Sequence, residues 1–188
     1  MYYPYEPVTD AGRALALLKS GNERYVLNNL SDKADYAAER AALATGQRPL
    51  AIVLTCSDSR TAPEIFFDQK LGDLFVVRNA GNIAEPAALG SIEYAAEHLK
   101  TPLAVIIGHK KCGAVTAAYQ DIETQGNLKV LLEKIKPVCA GCGDEDEAIR
   151  RNIRRTAEQI ADNEVVRKNG VTVLGAYYDI ETGVVSWL

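Results

Sequence analysis

The sequence predicts an α/β fold: a central, mostly parallel β-sheet of about four parallel strands plus an antiparallel edge strand, flanked by helices. Short apolar runs, typical of strands buried on both faces, alternate along the chain with segments of helical periodicity. The chain has 188 residues, 47% of them hydrophobic, which suffices for one core of ordinary size. We therefore predict one domain, residues 1–188, in which residues 1–46 form an N-terminal helical arm.

The predicted elements follow in order along the chain. In the arm, apolar residues from Ala14 to Val26 recur at helical spacing, and the alanine-rich segment Ala34 to Ala44 predicts a second helix. Predicted strands lie at 51–54, 74–77, 103–107, 171–177 and, after a turn at 181–183, 184–187. Predicted helices lie at 87–99, 114–119, 128–138 and 147–166. This alternation is typical of a parallel sheet.

Composition excludes several kinds of partner. The net charge of -4 at pH 7 provides no large basic field, so neither nucleic acid nor an anionic membrane is an expected partner. No apolar stretch approaches the length of a membrane span, and residues 1–6 lack the basic and apolar regions of a signal peptide. We expect a cytoplasmic protein that acts on a small molecule.

Two polar clusters each follow a predicted buried strand. Cys56-Ser57-Asp58-Ser59-Arg60 follows the first strand, and His109-Lys110-Lys111-Cys112 follows the strand at 103–107. Because the carboxyl ends of adjacent parallel strands meet at one crevice, we expect the clusters to converge. Two thiolates and one imidazole suit Zn²⁺ and leave a tetrahedral position open, as in catalytic sites.

Each of these residues taken singly has a simpler interpretation. A cysteine is often a small buried apolar residue, and a histidine at a strand end is often a satisfied core side chain. Taken jointly, the residue types and their spacing favour Cys56, His109 and Cys112 as zinc ligands.

Both clusters resemble the zinc signature of the β-class carbonic anhydrases. The resemblance extends over nearly the whole chain, through residues 16–25, 63–64, 72–82, 90–94 and 175–179. It implies a zinc-dependent lyase that reversibly hydrates carbon dioxide to bicarbonate and a proton, by attack of zinc hydroxide. It also implies a homodimer or a dimer of dimers, formed through the arm and the sheet.

The resemblance assigns a catalytic pair. Asp58 and Arg60 alternate along an extended segment, so their side chains can face the same side and form an ion pair. Arg60 would keep Asp58 ionised, and Asp58 would accept a hydrogen bond from the zinc hydroxide. In some family members the aspartate instead binds zinc and closes the site, and the sequence leaves this alternative open. An ordinary strand-end salt bridge is the simpler interpretation, which the proximity to Cys56 disfavours.

Four further positions match substrate-binding residues of the family. Gln47 matches a glutamine that orients substrate, and Phe75 and Tyr94 match the walls of the carbon dioxide pocket. The backbone N–H of Gly113 matches a donor to a substrate oxygen. Gln47, Phe75 and Tyr94 are expected to act partly across a dimer interface. Phe75 and Tyr94 would equally fit as core aromatic residues.

The segment Cys139-Ala140-Gly141-Cys142 interrupts the helical pattern and predicts a loop. We interpret its cysteines as ordinary thiols, with a reversible disulfide as the less favoured alternative. Asp144 and Glu147 fit a capping box for the following helix. Lys110 and Lys111 are expected to point to solvent. The alternative is that their ammonium groups lie beside the thiolates of the site and stabilise those thiolates.

Two other functions remain open. The same zinc site could hydrolyse an analogue of carbon dioxide, such as carbonyl sulfide or carbon disulfide. The protein could also be a non-catalytic zinc or redox-responsive protein, as Cys139 and Cys142 suggest. A purely structural zinc site usually has a fourth protein ligand and needs neither Asp58 nor Arg60, which argues against this last interpretation.

Overall fold

A computed structural model describes residues 7–33 and 35–188 and confirms the α/β fold class. The strands are β1 (Ala51–Cys56), β2 (Leu74–Asn79), β3 (Leu103–His109), β4 (Thr172–Tyr178) and β5 (Val185–Trp187). They form one sheet in the order β2-β1-β3-β4-β5. The first four strands pair in parallel, and β5 pairs antiparallel with β4, as predicted.

The helices are α1 (Ala11–Val26), α2 (Tyr36–Leu43), α3 (Pro63–Phe66), α4 (Pro86–Glu97), α5 (Gly113–Tyr119), α6 (Gly126–Cys139), α7 (Glu145–Ala161) and α8 (Glu164–Lys168). Among the described residues, no helix combines the length and the apolar character needed to cross a membrane. Residues 1–6 and residue 34, which belong to the predicted arm, lie outside the described residues. The division into one domain with an arm over residues 1–46 stays a prediction.

The sheet separates two apolar cores. Every residue of β1 and β3 is buried, which explains why both strands are continuous apolar runs. Alternate side chains of β1 enter opposite cores: Ile52 and Leu54 face the core that contains α4 and α7, whereas Val53 faces the core that contains α1. Cys56 continues the first of these rows, so its sulfur lies on the α4 and α7 side of the sheet.

The strand order reverses direction at β1. The chain places β2 on one side of β1 and then crosses over to place β3 on the other side. Such a switch point leaves a crevice at the carboxyl ends of the two central strands. Cys56 is the last residue of β1, and His109 is the last residue of β3, so both lie at this crevice.

The long helix predicted at residues 147–166 is wrong, because the structure contains two helices there. Helix α7 ends at Ala161, and α8 begins at Glu164. The side chain of Asn163 accepts hydrogen bonds from the N–H groups of Val165 and Val166 and so caps a new helix start. The sequence analysis also missed α3, which is too short to show helical periodicity.

The start of α7 shows the predicted capping interaction in a modified form. Asp144 is the N-cap residue and accepts a hydrogen bond from the N–H of Glu147 at 2.8 Å. The Glu147 carboxylate accepts from the N–H of Gly143 at 2.8 Å, one residue before the cap, rather than from Asp144 itself.

Helix α1 is held to the domain by close packing and a buried amide. A Cβ atom built on Gly21 would lie 1.7 Å from the carbonyl oxygen of Phe67, so only glycine permits this approach. The adjacent Asn22 donates to the carbonyl oxygens of Phe66 and Gly183 and accepts from the N–H of Val185. These three hydrogen bonds join the helix to α3 and to the β4–β5 turn.

A buried carboxylate joins the same helix to the segment that follows it. The Asp68 side chain is fully buried and forms ion pairs with Arg24 at 2.5 Å and with Lys33 at 2.8 Å. It also accepts hydrogen bonds from the N–H and hydroxyl of Ser31. Burial alone would raise the pKa of Asp68, but the two cations and Ser31 hold it well below the usual range.

Candidate metal centre and active site

Two thiols and one imidazole meet at the carboxyl edge of the sheet. Cys56 ends β1, His109 ends β3, and Cys112 is the N-cap residue of α5. All three side chains are buried, and their potential ligand atoms lie within 4.8 Å of one another. The structure thus brings together the three residues that the sequence singled out as zinc ligands.

The geometry of this cluster fits a tetrahedral metal ion. Zinc bound to two thiolates at about 2.3 Å would place the sulfur atoms about 3.8 Å apart. The Sγ atoms of Cys56 and Cys112 are 3.9 Å apart. The donor set therefore matches Zn²⁺ in both ligand type and separation.

The imidazole of His109 is also oriented to bind a metal ion. Its Nδ1 lies 3.0 Å from the carbonyl oxygen of Lys110, and because a carbonyl only accepts, Nδ1 carries the proton. Nε2 therefore has a free lone pair. It is buried and has no hydrogen-bond partner in the described part of the chain. A buried acceptor without a donor is costly, and a metal ion at this position would remove that cost.

Hydrogen bonding sets the charge on the two thiols. Hydrogen bonds from the Cys112 thiol and from the Gly81 N–H lower the pKa of Cys56 despite the opposing effect of burial. The same contact with Cys56, together with burial, raises the pKa of Cys112. The pair therefore loses one proton readily, whereas the second negative charge requires a cation such as a divalent metal.

Gly81 and the buried Asn152 form a chain of hydrogen bonds that ends at the Cys56 sulfur. Gly81 has a φ of +74° and donates its N–H to the Cys56 sulfur at 3.4 Å. The carbonyl oxygen of Gly81 accepts a hydrogen bond from Asn152 on α7 at 2.8 Å. The sequence analysis missed Asn152, although a detectable signal existed: an amide among the apolar residues that form the buried side of α7.

Asp58 and Arg60 form a bidentate ion pair at the edge of the cluster. The two carboxylate oxygens accept from Arg60 Nε at 2.9 Å and from its terminal nitrogen at 2.7 Å, and the Arg60 N–H donates a third bond at 2.9 Å. Arg60 holds the pKa of Asp58 well below its usual range. One Asp58 oxygen lies 3.8 Å from Nε2 of His109, so the carboxylate borders the position that a metal ion would occupy.

The segment that carries Asp58 is fixed by two residues that the sequence analysis missed. Arg78, from the neighbouring strand β2, donates to the carbonyl oxygens of Cys56 at 3.1 Å and of Asp58 at 2.8 Å. The Thr61 hydroxyl lies 2.9 Å and 2.8 Å from the same two oxygens. These contacts hold the turn that carries Asp58 and Arg60, independently of the side chains of that pair.

Lys111 is exposed, as expected, whereas Lys110 is only partly exposed, and both side chains form ion pairs. Both ammonium groups bind Glu181 in the β4–β5 turn, at 2.7 Å and 2.8 Å, and Lys110 also approaches Asp179 at 3.5 Å. The two lysines lower the pKa of Glu181 to about 2. They therefore hold the loop between His109 and Cys112 against the β4–β5 turn.

The substrate-binding residues predicted by resemblance lie at different distances from the cluster of their own chain. Gly113 follows Cys112 directly, at the start of α5. Gln47 precedes β1 and is exposed, and the strand spans more than about 15 Å between its two ends, so Gln47 lies far from the cluster of its own chain. Phe75 pairs with Ile52, about 13 Å along the sheet from Cys56. The Phe75 ring neighbours the half-exposed Tyr94 at 6.2 Å.

The fold and the cluster together define a class of protein. The chain is an α/β protein whose mostly parallel sheet carries, at its switch point, a buried group of two thiols and one imidazole that could hold a soft or borderline divalent metal.

Comparison with known proteins specifies the family. The family model described as Carbonic anhydrase matches residues 51–185. Carbonic anhydrase 2 of Mycobacterium tuberculosis is 38% identical to this chain, over 94% of the chain and 92% of that protein. The carbonic anhydrase of Mycolicibacterium smegmatis is 36% identical, over 94% and 93%. The chain therefore belongs to the carbonic anhydrase family of enzymes, and the resemblance found in the sequence is confirmed.

Solved structures agree with this assignment. The β-carbonic anhydrase CafA of Aspergillus fumigatus has a TM-score of 0.76 at 26% identity, over 95% of this chain and 91% of that one. A chain from the crystal structures of two tetrameric β-carbonic anhydrases of Sordaria macrospora has a TM-score of 0.74 at 28% identity, over 95% of this chain and 98% of that one. The fold is thus that of the β class.

Proposed function

We propose that this protein catalyses the reversible hydration of carbon dioxide to bicarbonate and a proton, with Zn²⁺ held by Cys56, His109 and Cys112. Zinc at this site would lower the pKa of a bound water toward about 7 and so make hydroxide available near neutral pH. The observation that carries the proposal is the Asp58–Arg60 pair beside the cluster. A structural zinc site has no use for an oriented carboxylate at an open position.

In this proposal Asp58 orients the attacking water. Its carboxylate is ionised and therefore only accepts hydrogen bonds, so it accepts one from the water O–H and directs the water's lone pair toward the substrate carbon. Arg60 fixes both carboxylate oxygens and limits the directions in which Asp58 can accept. This pairing also competes with rotation of Asp58 onto the metal, so the structure favours the open form of the site.

Gly113 is suited to the negative charge that develops on the substrate. Its N–H is among those that the start of a helix leaves without a helical acceptor. A carbon dioxide oxygen that gains charge during attack would accept from such a donor. The proton released by the reaction passes to buffer.

A second copy of the chain would complete the site. Gln47 and Phe75 are distant from the cluster of their own chain, as described above, and the Tyr94 ring neighbours that of Phe75. They are therefore suited to act in a neighbouring site, as the resemblance implies. Strand β2 is an edge strand with partly exposed apolar side chains, so it offers a surface for a second copy. We accordingly propose a homodimer, from which a dimer of dimers can be built.

Stopped-flow measurement of carbon dioxide hydration tests the function. We expect zinc-dependent activity, lost in Cys112→Ser and reduced about 10- to 100-fold in Asp58→Asn. Asp121→Asn is the matched control, because it makes the same change at a surface ion pair with Lys136. Activity in Asp121→Asn should equal that of the wild type. Activity per chain should also fall on dilution below the dissociation constant of the dimer.

Other outcomes would favour the alternatives. If zinc is fully bound and hydration is absent, the proposal is wrong. Consumption of carbonyl sulfide or carbon disulfide would then indicate an analogue hydrolase. If no substrate reacts, a non-catalytic zinc or redox-responsive protein is the better interpretation.

A further inference from the structure

The segment between α6 and α7 forms a tight turn with a cysteine at each end. Ala140 has φ −60° and ψ 123°, Gly141 has φ +73°, and the N–H of Cys142 donates to the carbonyl oxygen of Cys139 at 3.1 Å. These values define a type II β-turn, in which glycine supplies the positive φ of the third residue. Both cysteines are reduced in the structure.

This turn has the backbone geometry that a disulfide requires. The first and fourth Cα atoms of a β-turn lie within about 7 Å, and disulfides span Cα separations of about 4.4–6.8 Å. The Cys142 sulfur lies 3.6 Å from the carbonyl oxygen of Val138, so it is folded back over the last turn of α6, which carries Cys139. Rotation of the two side chains, with little change of the main chain, would bring the sulfur atoms together.

The two thiols differ in access. Cys139 is 7% exposed and packs in the core on the α6 and α7 side of the sheet, whereas Cys142 is partly exposed. An exposed thiol that reacts first, with a second thiol beside it to resolve the product, is the arrangement of a dithiol that cycles through a mixed disulfide. Arg151 donates to the carbonyl oxygen of Ala140 at 2.8 Å and so places a cation at the turn itself.

We propose that Cys139 and Cys142 are a redox-active dithiol, separate from the metal-binding cysteines, which low-molecular-weight disulfides such as oxidised glutathione convert to an intramolecular disulfide. The Cys142 thiolate attacks one sulfur of the oxidant and releases one thiolate. The Cys139 thiolate then attacks the Cys142 sulfur of the mixed disulfide and releases the second. The protein loses two electrons and two protons, and the oxidant becomes two thiols.

The class of oxidant follows from the environment of the thiols. Burial raises the pKa of both Cys139 and Cys142, and the Arg151 cation only partly opposes this effect. Few thiolates are therefore present near neutral pH, so the pair does not resemble a rapid peroxide sensor. Exchange with disulfides depends on equilibrium with the surrounding thiol pool and tolerates slower attack.

The sulfur atoms of Cys56 and Cys112 are also close together, so the experiment must separate the two pairs. The full chain is loaded with zinc, which occupies Cys56 and Cys112, and is equilibrated in glutathione buffers of increasing oxidised fraction. Samples are acid-quenched, alkylated and mapped by mass spectrometry. Bound zinc is measured in parallel.

We expect a loss of about 2 Da, the mass of two hydrogen atoms, in the peptides that contain Cys139 and Cys142, reversed by dithiothreitol with zinc content unchanged. Cys142→Ser and Cys139→Ser should each abolish this intramolecular bond. Both variants should still bind zinc, because neither residue is one of the three potential ligands. The proposal is overturned if the bond links Cys56 to Cys112, if zinc is released as it forms, or if only mixed disulfides with glutathione appear.

Discussion

The buried asparagine behind the metal cluster offers the sharpest test of how the fold supports the site. Asn152 is 2% exposed, and its amide donates to the carbonyl oxygen of Gly81, whose N–H contacts the Cys56 sulfur. The substitution Asn152→Ala leaves that carbonyl buried without a donor, at a cost of about 1–3 kcal/mol. Loss of an outer contact to a metal site typically lowers affinity about 10- to 100-fold, or about 1.4–2.7 kcal/mol. We therefore expect Asn152→Ala to lower the stability of the metal-free protein by about 1–3 kcal/mol and its zinc affinity about 10- to 100-fold.

Asn22→Ala is the matched control for this substitution. Asn22 is also buried and makes three hydrogen bonds to main-chain atoms, but all of them join α1 to parts of the domain outside the cluster. It should therefore lower the free energy of unfolding at least as much as Asn152→Ala and leave zinc affinity unchanged. Urea unfolding of the metal-free proteins and zinc competition against a chromophoric chelator measure the two quantities. Equal zinc affinity in the two variants would refute the supporting role of Asn152.

Two further predictions concern the attachment of the N-terminal helices. Gly21→Ala places a methyl group against the main chain of Phe67 and should destabilise the protein by about 3 kcal/mol or more. The control Gly90→Ala lies on a helix surface with no atom within 4 Å of the new Cβ and should stabilise the protein by about 0.5–1 kcal/mol. Urea unfolding measures both changes, and equal effects would contradict the close approach of Gly21 to Phe67. Folding depresses the pKa of Asp68, so its contribution to the free energy of unfolding is complete well above about pH 4 and is lost as the pH falls toward the lower folded value. At pH 7, Asp68→Asn should be less stable than the wild type by about 1–3 kcal/mol. In unfolding measured against pH, this difference should shrink below pH 4 and stay constant above pH 6.

The convergence of the candidate site residues was predictable because their signal is local. Cys56 and His109 each end a continuous apolar strand, and the crossover rule brings such ends together without any knowledge of the intervening helices. Asp58 and Arg60 lie two residues apart, so their ion pair needed only the alternation of an extended chain.

The supporting contacts were not predictable because they depend on packing between segments distant in sequence. Asn152 meets Gly81 across 71 positions, and Lys110 meets Glu181 across 71. Nothing in either local sequence specifies the other partner. The break between α7 and α8 depends on one side chain. The Asn163 side-chain oxygen accepts from the N–H groups of Val165 and Val166, which in a continuous helix would donate to main-chain carbonyl oxygens. The apolar periodicity alone predicts the continuous helix.

The two edge strands of the sheet differ in length, and this difference has a consequence for self-association. Among the described residues, edge strand β2 has six residues and pairs on one side only, with β1, whereas edge strand β5 has three residues and pairs with β4. Two copies related by a two-fold axis would cover both β2 edges at once and leave only the β5 edges facing outward. Strand-to-strand extension of the sheet would stop there, because a three-residue edge strand is a poor template for another strand. The unequal edge strands thus favour a closed pair of sheets over an open-ended fibre.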